Sequence, residues 1–221
     1  LDAVHNALFW EVALLPAQRA EAAAWIADRQ GLPGSYAGMF APTGYDYSFG
    51  TLTFTGEPVR SSASTGHILS EEACRALYLL GSRTPEVTEA LRKAREGLFR
   101  RMEQSEAQGQ WAGVYCCGAC SVALWRHLSA SGEADDALRM DNGLEALRQH
   151  RDGAGRWKRF PFFYALLALL DLPQPAARAE LAYAAPVMDR ALRRLNKAAP
   201  EALDRHALRR KQVMERALER C

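Results

Sequence analysis

The sequence predicts an all-α protein, a single domain built from repeated helix pairs. Three observations carry that expectation. Helix start and stop signals recur along the chain, apolar residues return at helical rather than alternating spacing, and a Gln followed by a Gly-x-aromatic turn occurs three times. At 221 residues the chain can bury one sizeable core, so one domain over 1–221 is expected.

The elements follow in order. The stretch PAQRAEAAAWIADRQ (16–30) has Pro at a helix start and Gly31 just past its end. Residues 40–66 then form a long irregular loop rich in Gly, Thr, Ser and aromatics, in which YDYSFGTLTF alternates enough to suggest a small hairpin. A loop this long in a compact domain is either an insertion with local packing or a lid or binding element. SEEACRALYLLG (70–81) opens on Ser with two glutamates and ends on Gly. TPEVTEALRKAREGLFRRMEQ (84–104) begins with Thr as N-cap and Pro behind it. Further helices are expected over 118–128, 135–149 and 161–172. The region 173–221 reads as a C-terminal helical extension, with Leu203, Ala207, Val213, Met214, Ala217 and Leu218 on one stripe.

Composition narrows the function classes. The 48% hydrophobic and 24% charged residues suit a soluble globular protein, and a net charge of +2 argues against nucleic acid as a partner. Five cysteines, three of them in CCGAC (116–120), read as reduced thiols rather than a disulfide framework, which points to the cytoplasm. The first residues lack a basic region and cleavage pattern, so no secretory leader is expected there. The longest apolar run, FPFFYALLALL (160–170), is too short to span a bilayer, and no transmembrane segment is expected.

The three turns are Gln30/Gly34/Tyr36, Gln104/Gly109/Trp111 and Gln149/Gly155/Trp157, with Trp25, Phe99 and Leu144 about five positions before each Gln. The last two aromatics stand 46 residues apart and the first two 75, the long loop accounting for most of the difference. This pattern, over about residues 20–172, resembles the QW-type repeat of the squalene–hopene cyclase and protein prenyltransferase β-subunit superfamily. The resemblance implies an (α/α) toroid-like fold, with inner helices over 68–80, 115–128 and 161–172. The chain holds fewer than five such units, so an open or partial ring is expected, with a homo-oligomer as one way of completing it. A HEAT-type array is the rival architecture, although it gives no reason for the recurrent aromatic turn.

The chemistry of that superfamily carries over poorly. Its cyclases protonate alkenes with an Asp-x-Asp-Asp motif; the nearest stretch here is Glu133-Ala134-Asp135-Asp136, which suits helix-start carboxylates instead. Its prenyltransferases hold zinc with Asp, Cys and His. Cys116 matches the Cys, but Val114 replaces the Asp and no His stands near Tyr164. A set of Cys116, Cys117, Cys120 and His127 lacks convincing ligand spacing, so neither metal nor cofactor is expected. The resemblance then implies a repeat protein that binds a hydrophobic, isoprenoid-type ligand in a central cavity. The expected ligand-binding residues are Tyr45, Tyr47, Tyr115, Cys116, Trp125, Phe162 and Tyr164, with no catalytic residue assigned. The alternative is a non-catalytic helical scaffold that binds a partner protein.

Overall fold

A computed structural model describes residues 1–111, 113–197 and 202–221. The protein is all-α: no strand occurs among the described residues, and no helix is long and apolar enough to cross a membrane. Ten α-helices run α1 (Asp2–Phe9), α2 (Pro16–Ala27), α3 (Gly44–Phe49), α4 (Ser62–Leu80), α5 (Pro85–Ala107), α6 (Gly118–Ser131), α7 (Ala137–Gln149), α8 (Phe162–Asp171), α9 (Pro175–Leu195) and α10 (Arg205–Leu218).

Local chemistry explains most of these boundaries. Thr84 caps α5 with Pro85 behind it, Asp204 accepts from the Ala207 N–H at 2.7 Å to open α10, and Gly81 closes α4 with φ +70°. The start of α4 corrects the sequence reading. Ser61 is its cap, accepting from the Ser64 N–H at 3.1 Å, while Ser70 lies mid-helix and donates to the Phe40 carbonyl at 2.8 Å. The Ser-rich run 61–66 thus begins the helix, because small residues let its first turns pack closely. The expected hairpin over 45–54 is also displaced. Thr43 and Asp46 form a capping box that winds Gly44–Phe49 into α3, and a tight turn then bridges Leu52 to Pro58.

α4, α6, α8 and α10 pack in succession, flanked by α2, α5, α7 and α9. α1 lies on α4 and is tied to α10 through Arg209, which reaches Asp2 at 2.9 Å and Asn6 at 3.1 Å. The core lies between α4, α6 and α8, where Leu77, Leu124, Trp125, Leu128, Tyr164 and Leu166 are all buried. At its centre is a charged network. Glu72 bonds Arg126 and the Tyr164 hydroxyl, Arg126 and Arg75 share Asp171 at 2.8 and 3.2 Å, and Glu71 bonds His127 at 2.6 Å.

The three similar turns do different jobs. The Gln30 side chain donates to the Gly38 carbonyl at 2.7 Å, whereas Gln104 and Gln149 bond residues of their own helices. Trp157 is 4% exposed and its Nε1–H donates to Glu180 at 2.8 Å; Trp111 is 51% exposed. Asp136, in the EADD stretch, is buried and takes both Arg95 nitrogens at 2.8 Å, a structural pair.

Candidate functional site

The first turns of α4 and α6 lie side by side and bring together residues far apart in sequence. α4 supplies Ser64 and His67. The approach to α6 supplies Tyr115 and Cys116, its N-cap is Cys117, and Cys120 follows within its first turn. Cys116 adopts φ +57°, a left-handed conformation that a non-glycine residue takes only where its surroundings hold it there. Gly118 is required beside it: a Cβ there would stand 2.1 Å from the Arg159 carbonyl oxygen, so only glycine lets the helix start rest on that turn.

The donor atoms of His67, Cys116 and Cys120 all lie within 4.8 Å of one another. Cys117 Sγ is 3.4 Å from Cys120 Sγ and 3.7 Å from the Ser64 hydroxyl. The buried His67 ring packs against two phenols that also touch each other, with ring centres 3.7 Å from Tyr36 and 5.0 Å from Tyr115. Among the described residues nothing hydrogen-bonds its Nδ1, and the Tyr115 hydroxyl also lacks a partner. Buried ring nitrogens are usually paired, so a His67 nitrogen without a protein partner is available to a ligand.

The electrostatics agree with that geometry. Burial lowers His67 to about 4, which keeps the imidazole neutral with a lone pair to offer. Hydrogen bonds from Cys116 and Cys120 push the Cys117 thiol far down, while those same contacts raise the other two.

Comparison of the chain with protein-family models, curated proteins and solved structures gives no match. The chemistry of the site has to be read from its own residues. Two thiols and a neutral imidazole form a soft donor set that suits a thiophilic cation such as zinc. Three protein donors leave a fourth tetrahedral position for another ligand.

The structure distributes the seven expected ligand-binding residues unevenly. Tyr115 and Cys116 lie in this centre. Tyr47 stands beside it, since a Cβ on Gly66 of α4 would come within 3.7 Å of its hydroxyl. Tyr45 faces elsewhere, into a surface groove of about 610 Å³ that it lines with Trp25, Ile26, Phe40, Phe49 and Leu52. α3 thus sends Tyr47 toward Gly66 of α4, and Tyr45 and Phe49 toward the groove. Trp125, Phe162 and Tyr164 are core residues: Trp125 donates to the Gly113 carbonyl at 2.7 Å, Phe162 stacks on Trp157, and Tyr164 bonds Glu72.

A cavity of about 480 Å³ opens among α1, α4, α6, α8 and α10, and none of the seven lines it. Its walls include His5, Arg75, Arg126 and Asp171. The aromatic rings expected around a central space instead fill the core, because each packs on, or hydrogen-bonds to, a neighbouring element.

Sequence reasoning does not group His67 with the thiols: it stands there beside the serines of RSSASTGH, with no triad assigned. The histidine that the sequence sets with the cysteines is His127, yet His127 is engaged with Glu71 two turns further on. The usable signal was RSSASTGH: once Ser61 is taken as a helix cap, His67 falls in the second turn of a helix adjoining the thiols.

Proposed function

We propose that the protein is a helix-pair repeat protein of the prenyltransferase and cyclase kind, with a thiophilic metal centre at His67, Cys116 and Cys120 and a hydrophobic, isoprenoid-type ligand as its substrate. The observation that carries the reading is the convergence of donor atoms from those three residues within 4.8 Å of one another, beside an imidazole whose Nδ1 has no hydrogen bond among the described residues. The succession α4–α6–α8–α10, with α1 between α10 and α4, supports a small toroid-like ring.

A thiophilic cation held there would supply Lewis acidity toward a thiol or water in the fourth position. The remaining work falls to the chain. Tyr36 and Tyr115 pack on the His67 ring and on each other, which restricts the orientation of the imidazole. Arg101 in turn donates to the Tyr36 hydroxyl at 3.1 Å, which holds that ring in place. Tyr47 covers the open flank above Gly66. The groove beyond α3 has an aromatic and aliphatic wall suited to a long apolar chain, with Arg29, Arg205 and His206 balanced by Asp2 and Asp46 among its polar residues, which suits a neutral head group.

Elemental analysis of protein purified without chelator tests the reading. About one zinc per chain is expected, lost in His67→Ala and Cys116→Ala and retained in Cys221→Ala. Reduced protein that takes up no zinc, even when it is supplied, would sink the metal centre. Binding of an isoprenoid alcohol, followed by the fluorescence of the half-exposed Trp25, tests the groove separately.

A further inference from the structure

We propose that Cys117 and Cys120 form a dithiol–disulfide couple that exchanges with low-molecular-weight disulfides, Cys117 attacking and Cys120 resolving. The couple goes beyond the metal reading, and only its consequence for metal occupancy rests on that reading.

Four observations converge on this pair. The two cysteines sit at the N-cap and in the first turn of α6, three residues apart and hence on one helix face. Their sulfurs are 3.4 Å apart, so a bond of about 2.05 Å requires a closure of only about 1.4 Å, within reach of side-chain rotation. Exposure is divided as the chemistry needs: Cys117 is exposed to an incoming disulfide, and Cys120 is fully buried behind it. A helix N-terminus further favours the thiolate, the attacking species, through its free N–H groups.

The balance is simple. The Cys117 thiolate attacks one sulfur of a small disulfide RS–SR, forming a Cys117–SR bond and releasing RS⁻. Cys120 gives its proton to that leaving thiolate, and its sulfur attacks Cys117 Sγ. The Cys117–Cys120 bond forms and a second RS⁻ departs, to be protonated from solvent. Two cysteine sulfurs are oxidised, and one small disulfide is reduced to two thiols. Because Cys120 is also one of the three metal donors, oxidation removes a ligand; the disulfide and the metal-bound state exclude each other.

The test uses the full reduced chain, stripped with chelator and exposed to oxidised glutathione. Peptide mapping with fragmentation should locate a Cys117–Cys120 link in the wild type, with free thiols falling by two. Cys116→Ser should form the same link, and Cys120→Ser should stop as a glutathione adduct on Cys117. A link mapped to Cys116, or a wild type that keeps all its thiols, would overturn the couple without recourse to any variant. Adding zinc first should slow the disulfide several-fold in the wild type. If zinc has no effect while the Cys117–Cys120 link still forms, the couple stands and the metal reading falls.

Discussion

α4 and α6 share two polar clusters about a turn of helix apart, and the clusters differ in charge pairing and in access to solvent. The deeper one joins Glu71, Glu72, Arg126, His127, Tyr164 and Asp171, and each of these side chains has at least one close polar partner. The one at the helix starts joins His67, Cys116, Cys117 and Cys120, where the histidine has aromatic neighbours and no hydrogen bond at Nδ1. Orphaned atoms do not separate them, since Glu71 Oε1 and His127 Nε2 in the deeper cluster also lack a hydrogen bond among the described residues. Pairing and access do. Acids and bases set against each other in the core are explained by the fold, whereas a soft donor set that reaches solvent through Cys116 and Cys117 is open to something it binds.

Breaking the deeper cluster should have the largest effect on stability. Arg126→Ala strands Glu72, whose carboxyl burial pushes up but Arg126, His5 and Arg75 together hold at about 2. Removing one partner of a buried pair commonly costs about 3–5 kcal/mol, which urea unfolding would register as a large drop in midpoint. Zinc binding by the surviving folded protein should be unchanged. A loss below about 1 kcal/mol would mean that the network contributes little and that the contrast between the clusters is false.

His67→Ala should show the reverse pattern. Zinc per chain should fall from about one to none, while metal-free stability drops by about 1–2 kcal/mol from the lost stacking. An equally severe loss of folding would place His67 with the structural residues.

The pH dependence of stability gives a smaller but more pointed test. Burial disfavours the charged form of His127, yet Cys74 and Glu71 outweigh it and raise the group to about 10, above its ordinary 6.5. The sign follows: its contribution is complete below 6.5 and is lost as pH rises through about 10. Glu71, raised chiefly by burial, acts in the same direction. Wild-type unfolding midpoints should therefore decline between pH 7 and 10, and His127→Gln should flatten that decline. Parallel slopes in the two proteins would remove His127 from the network. The least effect is expected at Trp111→Ala, within about 0.5 kcal/mol, since that ring is half in solvent. Trp157→Ala, at the matching turn, should cost about 3 kcal/mol, measured in the same unfolding assay.

What the sequence determined by itself was local. Thr84 and Pro85 opening a helix, Gly81 closing one, apolar residues at helical spacing and three thiols crowded near a helix start were all legible, because capping and periodicity depend on residues within a few positions of each other. Residues 112 and 198–201, in the second turn motif and the C-terminal region, lie outside the described structure. Tertiary packing alone decided the partners. It brought α4 level with α6 so that His67 meets Cys120 while His127 meets Glu71, and it turned Trp125 and Tyr164 into core residues rather than cavity walls. The three aromatic turns, alike in sequence, diverged for the same reason: Trp157 found Glu180 on α9, and Trp111 found solvent. Local pattern fixes which face of a helix is apolar; which turn of the next helix lies opposite is set by how whole elements stack, and no spacing along the chain records it.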